Sequence, residues 1–175
     1  MIETGEGIKV LFEVRAKTLH RQPGEICFPG GRKEKTEEPV ETAIRETCEE
    51  LDLSTDDIHI LGALSSKDLY SGEKMHPFVG FLSNYHGDYS SSEVDHIFSV
   101  PLSFFLETSP QVFAIAMKSV PEKNFPYNRI PYGKKYHWKE NKRKVYFYSY
   151  RNYEIWGLTA GILVEFVKRL HEGGL

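Results

Sequence analysis

Apolar and polar residues alternate along several stretches of this chain, and the alternation predicts β-strands. Between residues 7 and 16, apolar side chains at Ile8, Val10, Phe12 and Val14 recur at every second position, the spacing at which a strand turns successive side chains to opposite sides of a sheet. Further segments with strand character are residues 26–28, 58–64, 75–82, 94–101, 112–117 and 144–150.

A spacing of three and four residues predicts helices elsewhere. From residue 37 to residue 51 an apolar stripe recurs at the helical period and predicts one buried face. Its members are Val40, Ala43, Ile44, Thr47 and Leu51. Residues 158–170 show a second such face, and Pro101 is placed to open a short helix over residues 101–106. Because strands and helices mix without strict alternation and no linker interrupts them, we predict a single α+β domain over residues 1–175.

The composition is that of an ordinary globular domain. The chain is 40% hydrophobic and 27% charged, which excludes a disordered or fibrous protein. Its net charge of −3 gives no general attraction to nucleic acid. No apolar run reaches the roughly 18 residues of a membrane helix, so we predict neither nucleic acid nor a membrane as partner. Cys27 and Cys48 make no disulfide or zinc framework and no signal peptide is recognisable, so we expect a cytoplasmic protein.

Three glutamates near the end of the first predicted helix are candidate metal ligands. At about 100° per residue, Glu46, Glu49 and Glu50 lie within one arc, away from the centre of the apolar stripe. Glu46 and Glu50 are four residues apart and repel each other, and a divalent cation removes that repulsion. Mg²⁺ prefers carboxylate oxygens, few protein ligands and several waters. Taken alone, such an acidic face is more often an ordinary solvated helix surface.

The residues around these glutamates indicate how they could be held. Arg45 stands four residues before Glu49 and eight after Glu37. A guanidinium fork can hold carboxylates bidentately and fix their side chains. Before the helix, Pro29-Gly30-Gly31 lets the backbone turn sharply and approach a ligand closely.

The whole spacing resembles the Nudix box, G-x5-E-x7-R-E-U-x-E-E-x-G-U, where U is a bulky aliphatic residue. Gly31, Glu37 and the segment Arg45-Glu46-Thr47-Cys48-Glu49-Glu50 fit it in order. Thr47 replaces an aliphatic residue, and Asp52 replaces the late Gly. Because Asp tolerates left-handed backbone better than most residues, we expect the turn at Asp52 to form.

This resemblance implies a Nudix fold, a mixed β-sheet sandwiched between α-helices. It also implies Mg²⁺ or Mn²⁺ bound chiefly by Glu46 and Glu50, with Glu49 contributing to the metal or orienting water. The cation would activate a water for attack on phosphorus. Arg45 with Glu37 would hold the loop and the helix together.

A second segment is similar to the coenzyme A pyrophosphatase signature, L-L-T-x-R-[SA]-x3-R-x3-G-x3-F-P-G-G. The matching residues are Leu11, Arg15, Ala16, Gly24 and Phe28-Pro29-Gly30-Gly31. Phe12 and Glu13 replace Leu and Thr, and His20 stands where Arg is expected, with Arg21 directly after it. The substrate-binding residues that this similarity implies are Arg15, His20, Arg21, Gly30 and Gly31.

Other segments have several interpretations. Residues 155–160 also resemble that subfamily, but we expect Trp156 to anchor the last helix by core packing. The aromatic and basic stretch 118–150 is expected to be an exposed hairpin with cross-strand aromatic pairs; the alternative is that it covers the adenine end of a substrate. Only Met1-Ile2 precede the first turn, where the subfamily usually has an apolar strand, so we expect a weakened sheet there.

The first functional hypothesis is hydrolysis of coenzyme A or a derivative to 3′,5′-ADP and (acyl-)phosphopantetheine. The alternatives are another nucleotide substrate, such as ADP-ribose or a dinucleotide, and a non-catalytic nucleotide-binding module. The intact glutamates argue against the last, because a pure binder has no need of carboxylates that repel each other. The general base is Glu46 or a carboxylate outside the box, for which Glu93 is the candidate, although Glu93 is equally consistent with an ordinary loop residue. A homodimer is expected by analogy with the family.

Overall fold

The computed structural model describes residues 1–69 and 71–174, and its helices lie close to those that the periodicity predicts. Helix α1 (Pro39–Leu51) begins two residues later than predicted, because Glu38 caps its first turn in a capping box with Glu41. Helices α2 (Leu102–Glu107) and α3 (Gly157–His171) follow the other two predictions. No helix among the described residues is long and apolar enough to cross a membrane.

Strands make up most of the remaining regular structure. They are β1 (Ile2–Thr4), β2 (Gly7–Arg15), β3 (Ile26–Cys27), β4 (Ile58–Ala63), β5 (Lys67–Asp68), β6 (Lys74–Met75), β7 (Phe78–Leu82), β8 (Val94–Pro101), β9 (Gln111–Met117), β10 (Asn141–Tyr150) and β11 (Tyr153–Trp156). The strand predicted over residues 75–82 is interrupted at His76-Pro77, because proline has no N–H to give to a ladder.

The larger sheet is mixed. Its strands run in the order β3-β2-β1-β7-β4. Strand β8 lies outside this order and also pairs with β2. Strand β1 is parallel to β7 and antiparallel to β2, so a strand is present where the sequence led us to expect a weakened sheet. The amino group of Met1 donates to the carbonyl of Gly80 at 2.7 Å, which fixes the start of the chain to β7.

The two faces of this sheet pack against different helices. On one face, Phe12 stacks on Phe28 and Phe98 at centroid distances of 5.1 and 5.2 Å, in a core that also contains residues of α2 and α3. On the other face, Leu11 packs with Leu51 of α1 and Leu82 of β7. The sheet therefore lies between helices, and the predicted α+β architecture is confirmed.

The apolar stripe of α1 is less buried than predicted. Of its members only Leu51 is fully buried, whereas the other four are partly exposed. The fully buried positions of the helix also include Thr42 and Glu50, which are polar. The end of the helix does follow the prediction, since Asp52 adopts the left-handed conformation with φ 50° and ψ 47°.

The second sheet is antiparallel, in the order β11-β10-β9. The hairpin predicted over residues 118–150 is not found as such, because residues 118–140 contain Pro121, Pro126 and Pro131, which cannot donate to a ladder, and form a connection with two short 3-10 turns. The antiparallel aromatic pair lies instead between β9 and β10, where Phe113 is edge-on to Phe147 at 5.5 Å. The prediction for Trp156 is wrong: its side chain is 45% exposed and stacks on Phe147 at the sheet surface, because it lies at the end of β11 facing away from the core. The buried residue of that strand is Ile155.

Candidate active site

The glycine turn before α1 lies directly against two of the candidate glutamates. The N–H of Gly30 donates to Glu50 Oε2 at 2.8 Å. A Cβ added at Gly31 would lie 2.3 Å from the carboxylate atoms of Glu46. A side chain at position 31 would therefore force the Glu46 carboxylate to move, and position 30, where φ is 149°, has a backbone conformation that favours Gly.

Arg45 connects the loop to the helix through its guanidinium. Its Nε donates to Glu37 Oε1 at 2.6 Å, and its Nη2 donates to Glu46 Oε1 at 2.9 Å and to the carbonyl of Arg32 at 3.3 Å. Its Nη1 reaches Glu49 Oε2 at 3.2 Å. The hydrogen bond from Arg45 is the main reason that the pKa of Glu37 is lowered to about 2. One side chain thus fixes three carboxylates.

The three glutamates of the box differ sharply in their surroundings. Glu50 is 4% exposed, whereas the side chain of Glu46 is 16% exposed and that of Glu49 is 59% exposed. Glu46 and Glu50 face the glycine turn, and Glu49 faces solvent beside Arg45. No set of three His, Cys, Asp or Glu side chains in residues 1–69 and 71–174 is close enough to enclose a metal ion.

Electrostatics distinguish Glu50 from an ordinary surface carboxylate. Burial is the main reason that its pKa is raised to about 7. The N–H of Gly30 opposes this rise, and the negative charges of Glu46 and Glu93 add to it. A group with this environment is stabilised by a positive charge placed beside it. The donor set therefore fits a hard divalent cation, which takes few protein oxygens and completes its shell with water and phosphate.

The loop that carries Glu93 approaches the end of α1. The N–H of Ser90 donates to the carbonyl of Glu50 at 2.8 Å, and the carbonyl of Glu93 accepts from the N–H of Ala16 at 2.8 Å. Glu93 itself is exposed, directly before β8. Glu93, the candidate carboxylate from outside the box, thus lies close enough to Glu50 for its negative charge to raise the pKa of Glu50.

The candidate phosphate-binding residues lie at the end of β2 and in the loop after it. Arg15 is partly exposed, and its charge lowers the pKa of Glu50 against the effect of burial. His20 and Arg21 are exposed in the turn between β2 and β3, and the carbonyl of Arg21 accepts from Arg15 Nε at 3.4 Å. Because β3 leads straight into the glycine turn, this basic loop lies close in the chain to the carboxylates. A groove of about 570 Å³ along α3 includes none of these residues.

Glu13 was not among the predicted site residues, yet it lies beneath them. Side chains alternate along β2, so Leu11, Glu13 and Arg15 share the face that packs on α1. Glu13 is 1% exposed, and burial followed by the charge of Glu50 raises its pKa to about 9. The alternation placed Glu13 opposite the apolar positions of the strand, so the one available signal was Glu where the signature has Thr.

Comparisons with known proteins bear on this arrangement. Residues 3–115 match the family model described as NUDIX domain. The chain is 34% identical over 115 residues to the peroxisomal coenzyme A diphosphatase NUDT7 of Mus musculus, a match that covers 65% of this chain and 48% of that protein. It is 42% identical over 106 residues to the peroxisomal coenzyme A diphosphatase ndx-8 of Caenorhabditis elegans, which covers 58% of this chain and 45% of that one. The matched region therefore spans about half the length of these curated relatives.

A solved structure gives the same fold. The crystal structure of a C. elegans Ap4A hydrolase superposes with a TM-score of 0.50 at 18% identity, covering 61% of this chain and 78% of that one. At this identity the likeness concerns the fold alone. The predicted resemblance to Nudix hydrolases and to their coenzyme A pyrophosphatase-like members, together with the predicted Nudix fold, is confirmed by these matches.

Proposed function

The chain belongs to the Nudix hydrolase family, and from that premise we propose that it hydrolyses the pyrophosphate bond of coenzyme A or a derivative. The products would be 3′,5′-ADP and (acyl-)phosphopantetheine. The observation that supports this choice is the segment from Leu11 to Gly31, which resembles the coenzyme A pyrophosphatase signature and leads into the turn that contacts Glu46 and Glu50. The relatives named coenzyme A diphosphatases are consistent with it.

The proposed cofactor is Mg²⁺ or Mn²⁺, held by Glu46 and Glu50 with help from Glu49. When bound, such a cation neutralises pyrophosphate oxygens and makes water a stronger nucleophile. Arg45 orients Glu46 through Nη2, and the Gly30 N–H orients Glu50. These contacts fix the carboxylates before substrate arrives, and pre-organised ligands lose less entropy on binding.

The remaining steps fall to side chains around this pair. Glu46 or Glu93 would accept the proton of the attacking water at a carboxylate oxygen. Arg15, His20 and Arg21 would bind substrate phosphates, for which a guanidinium provides two parallel hydrogen bonds. The turn at Gly30 and Gly31 would allow the pyrophosphate to approach the backbone closely.

The test is product analysis with matched variants. Purified protein is incubated with Mg²⁺ or Mn²⁺ and with coenzyme A, ADP-ribose, NADH or a nucleotide panel. We expect 3′,5′-ADP from coenzyme A and a loss of about 1,000-fold in Glu50→Gln, which removes a proposed ligand of the cation that would neutralise charge at the reacting phosphate. Glu34→Gln, a charge change in the exposed loop before α1, is the control and should retain activity.

Other outcomes select the alternatives. Faster turnover of ADP-ribose or of a dinucleotide would replace the coenzyme A proposal while keeping a hydrolase. Nucleotide binding without turnover of any compound would favour a non-catalytic module. The close packing of two carboxylates on a glycine turn argues against that module, because a binder gains nothing from their repulsion.

Several predictions about the whole protein also form part of the proposal. They are a single domain, a homodimer, a cytoplasmic location, and no nucleic-acid or membrane partner. Sizing with light scattering tests the homodimer directly. A monomer that still cleaves coenzyme A would remove the homodimer from the proposal and leave the reaction unaffected.

A further inference from the structure

A cluster of buried polar side chains lies between β2, the end of α1 and the loop before β8. Two of its polar atoms, Glu13 Oε1 and the hydroxyl oxygen of Tyr85, are buried and have no hydrogen-bond partner within the described part of the chain. Buried polar atoms in folded proteins are nearly always paired, and unpaired ones commonly face an ion or a water. Two such atoms in one cluster therefore indicate a polar occupant.

The geometry places the Glu13 carboxylate beside Glu50. Leu11, two residues earlier on the same face of β2, contacts Leu51, the residue after Glu50. Glu50 is in turn held by the Gly30 N–H, so its carboxylate points from α1 toward the turn that follows β3. The carboxyl groups of Glu13 and Glu50 are also within hydrogen-bonding reach of each other.

The cluster contains more acidic than basic side chains. The carboxylates of Glu13, Glu50 and Glu93 act on one another, and Arg15 is the cation that acts on Glu13 and Glu50. The charge of Glu13 also adds to burial in raising the pKa of Tyr85 to about 12. Glu13 Oε1 meets no donor among the described residues, and a cation placed beside it would stabilise the charged form of this buried group.

We propose that Glu13 is a further carboxylate ligand of a divalent cation, which it shares with Glu50 at the inner end of the active site. The signature that this chain resembles has Thr at this position, so the ligand is a feature of this sequence. The proposal rests on the proposed function only in placing Glu50 at the metal site. It gives Glu13 a role in binding the cation before any nucleotide is present.

Binding of Mn²⁺ alone tests this inference. Calorimetric titration of the purified full chain without nucleotide should show Mn²⁺ binding that is at least about tenfold weaker in Glu13→Gln, the scale on which metal-site carboxylates act. Glu107→Gln, an exposed charge at the end of α2, is the control and should bind as the wild type does. Equal affinity of Glu13→Gln and wild type would overturn the proposal and leave a buried water as the occupant.

A second measurement keeps the inference testable if Glu13→Gln does not fold. Anomalous scattering from wild-type crystals soaked in Mn²⁺ should place a peak in contact with the Glu13 carboxylate. A peak bound by Glu46 and Glu50 but not by Glu13 would overturn the proposal. Failure of the substrate proposal is distinguishable, because Mn²⁺ binding that depends on Glu13 does not require turnover of coenzyme A.

Discussion

At the scale of single residues, the site depends on how closely a backbone can approach a carboxylate. The α-carbon of Gly31 faces the end of Glu46, and the N–H of Gly30 faces Glu50. These contacts explain in physical terms why the motif begins with glycine. They also make the position of Glu46 sensitive to a single methyl group.

Gly31→Ala should therefore impair the site with little effect on folding. Its Cβ would lie 2.3 Å from the Glu46 carboxylate, so that carboxylate must move and its hydrogen bond from Arg45 must lengthen. A displacement of this size can cost about 100-fold in activity. We expect that loss in the hydrolysis rate, and a thermal midpoint close to that of the wild type.

A matched glycine supplies the control for this substitution. Gly5→Ala adds the same methyl group where no atom lies within 4 Å and where φ is not left-handed. It should leave the hydrolysis rate unchanged. Full activity in Gly31→Ala would contradict the argument that the close approach positions Glu46.

Residue types and spacing predicted most contacts of the candidate site, but not how deeply each of its carboxylates is buried. The spacing of Gly31, Glu37 and Arg45 identified the contacts that the structure brings together. The spacing placed Glu46, Glu49 and Glu50 on one arc, but it does not say that Glu50 is buried whereas Glu49 is exposed. That difference arises from the sheet beneath α1, which no local pattern describes.

At the scale of elements, periodicity predicted the long segments, and the sequence also indicated β3 and α2, but four short strands were missed in whole or in part. Strand β2 and helices α1 and α3 repeat their pattern often enough to be recognised. Strands β1, β5, β6 and β11 have two to four residues and form because a partner strand supplies their hydrogen bonds. Trp156 was misplaced for the same reason, since only the pairing of β11 with β10 decides which way it faces.

Asp52, at the end of α1, is expected to lower the free energy of unfolding by a measurable amount. Asp52 holds a left-handed conformation that favours glycine, and its negative charge lies at the negative end of the helix dipole. Asp52→Gly should raise the free energy of unfolding by about 0.5–1 kcal/mol, the scale of such a cap. Urea unfolding at neutral pH measures this change.

Asp52→Asn separates the two contributions at this position. Asn removes the charge while it also tolerates left-handed backbone. We expect Asp52→Asn to raise the free energy of unfolding only by the amount that the charge at the helix end had cost. Asp52→Gly should raise it further, because it also relieves the left-handed backbone. A lower stability of Asp52→Gly than of the wild type would show that the Asp52 side chain has a stabilising role at the turn.

At the scale of the whole molecule, Glu165 joins regions far apart in the chain. Its carboxylate, on α3, accepts from the N–H of Ser65 at 2.6 Å and from Lys67 Nζ of β5. Burial by itself would raise the pKa of Glu165, but the hydrogen bonds from Lys67 and Ser65 outweigh it and lower the pKa to about 2. This contact fastens the last helix to the connection that follows β4.

The lowered pKa of Glu165 determines how its contribution to stability changes with pH. A carboxyl with an ordinary pKa near 4.5 when unfolded and about 2 when folded stabilises the fold above pH 4.5, roughly, and loses that contribution as the pH falls toward 2. Glu165→Gln should therefore lower the free energy of unfolding by about 2 kcal/mol at pH 7, the scale of a hydrogen-bonded charge. The difference from wild type should shrink as the pH is lowered from about 4.5 toward 2. Glu172→Gln, at the residue directly after α3, is the matched control, because its pair with Lys168 is exposed and such pairs contribute less than about 1 kcal/mol. If the two variants lose the same small amount at pH 7, then Glu165 does not fasten α3 to the sheet, and the packing around Phe166, Leu64 and Val79 alone holds the helix in place.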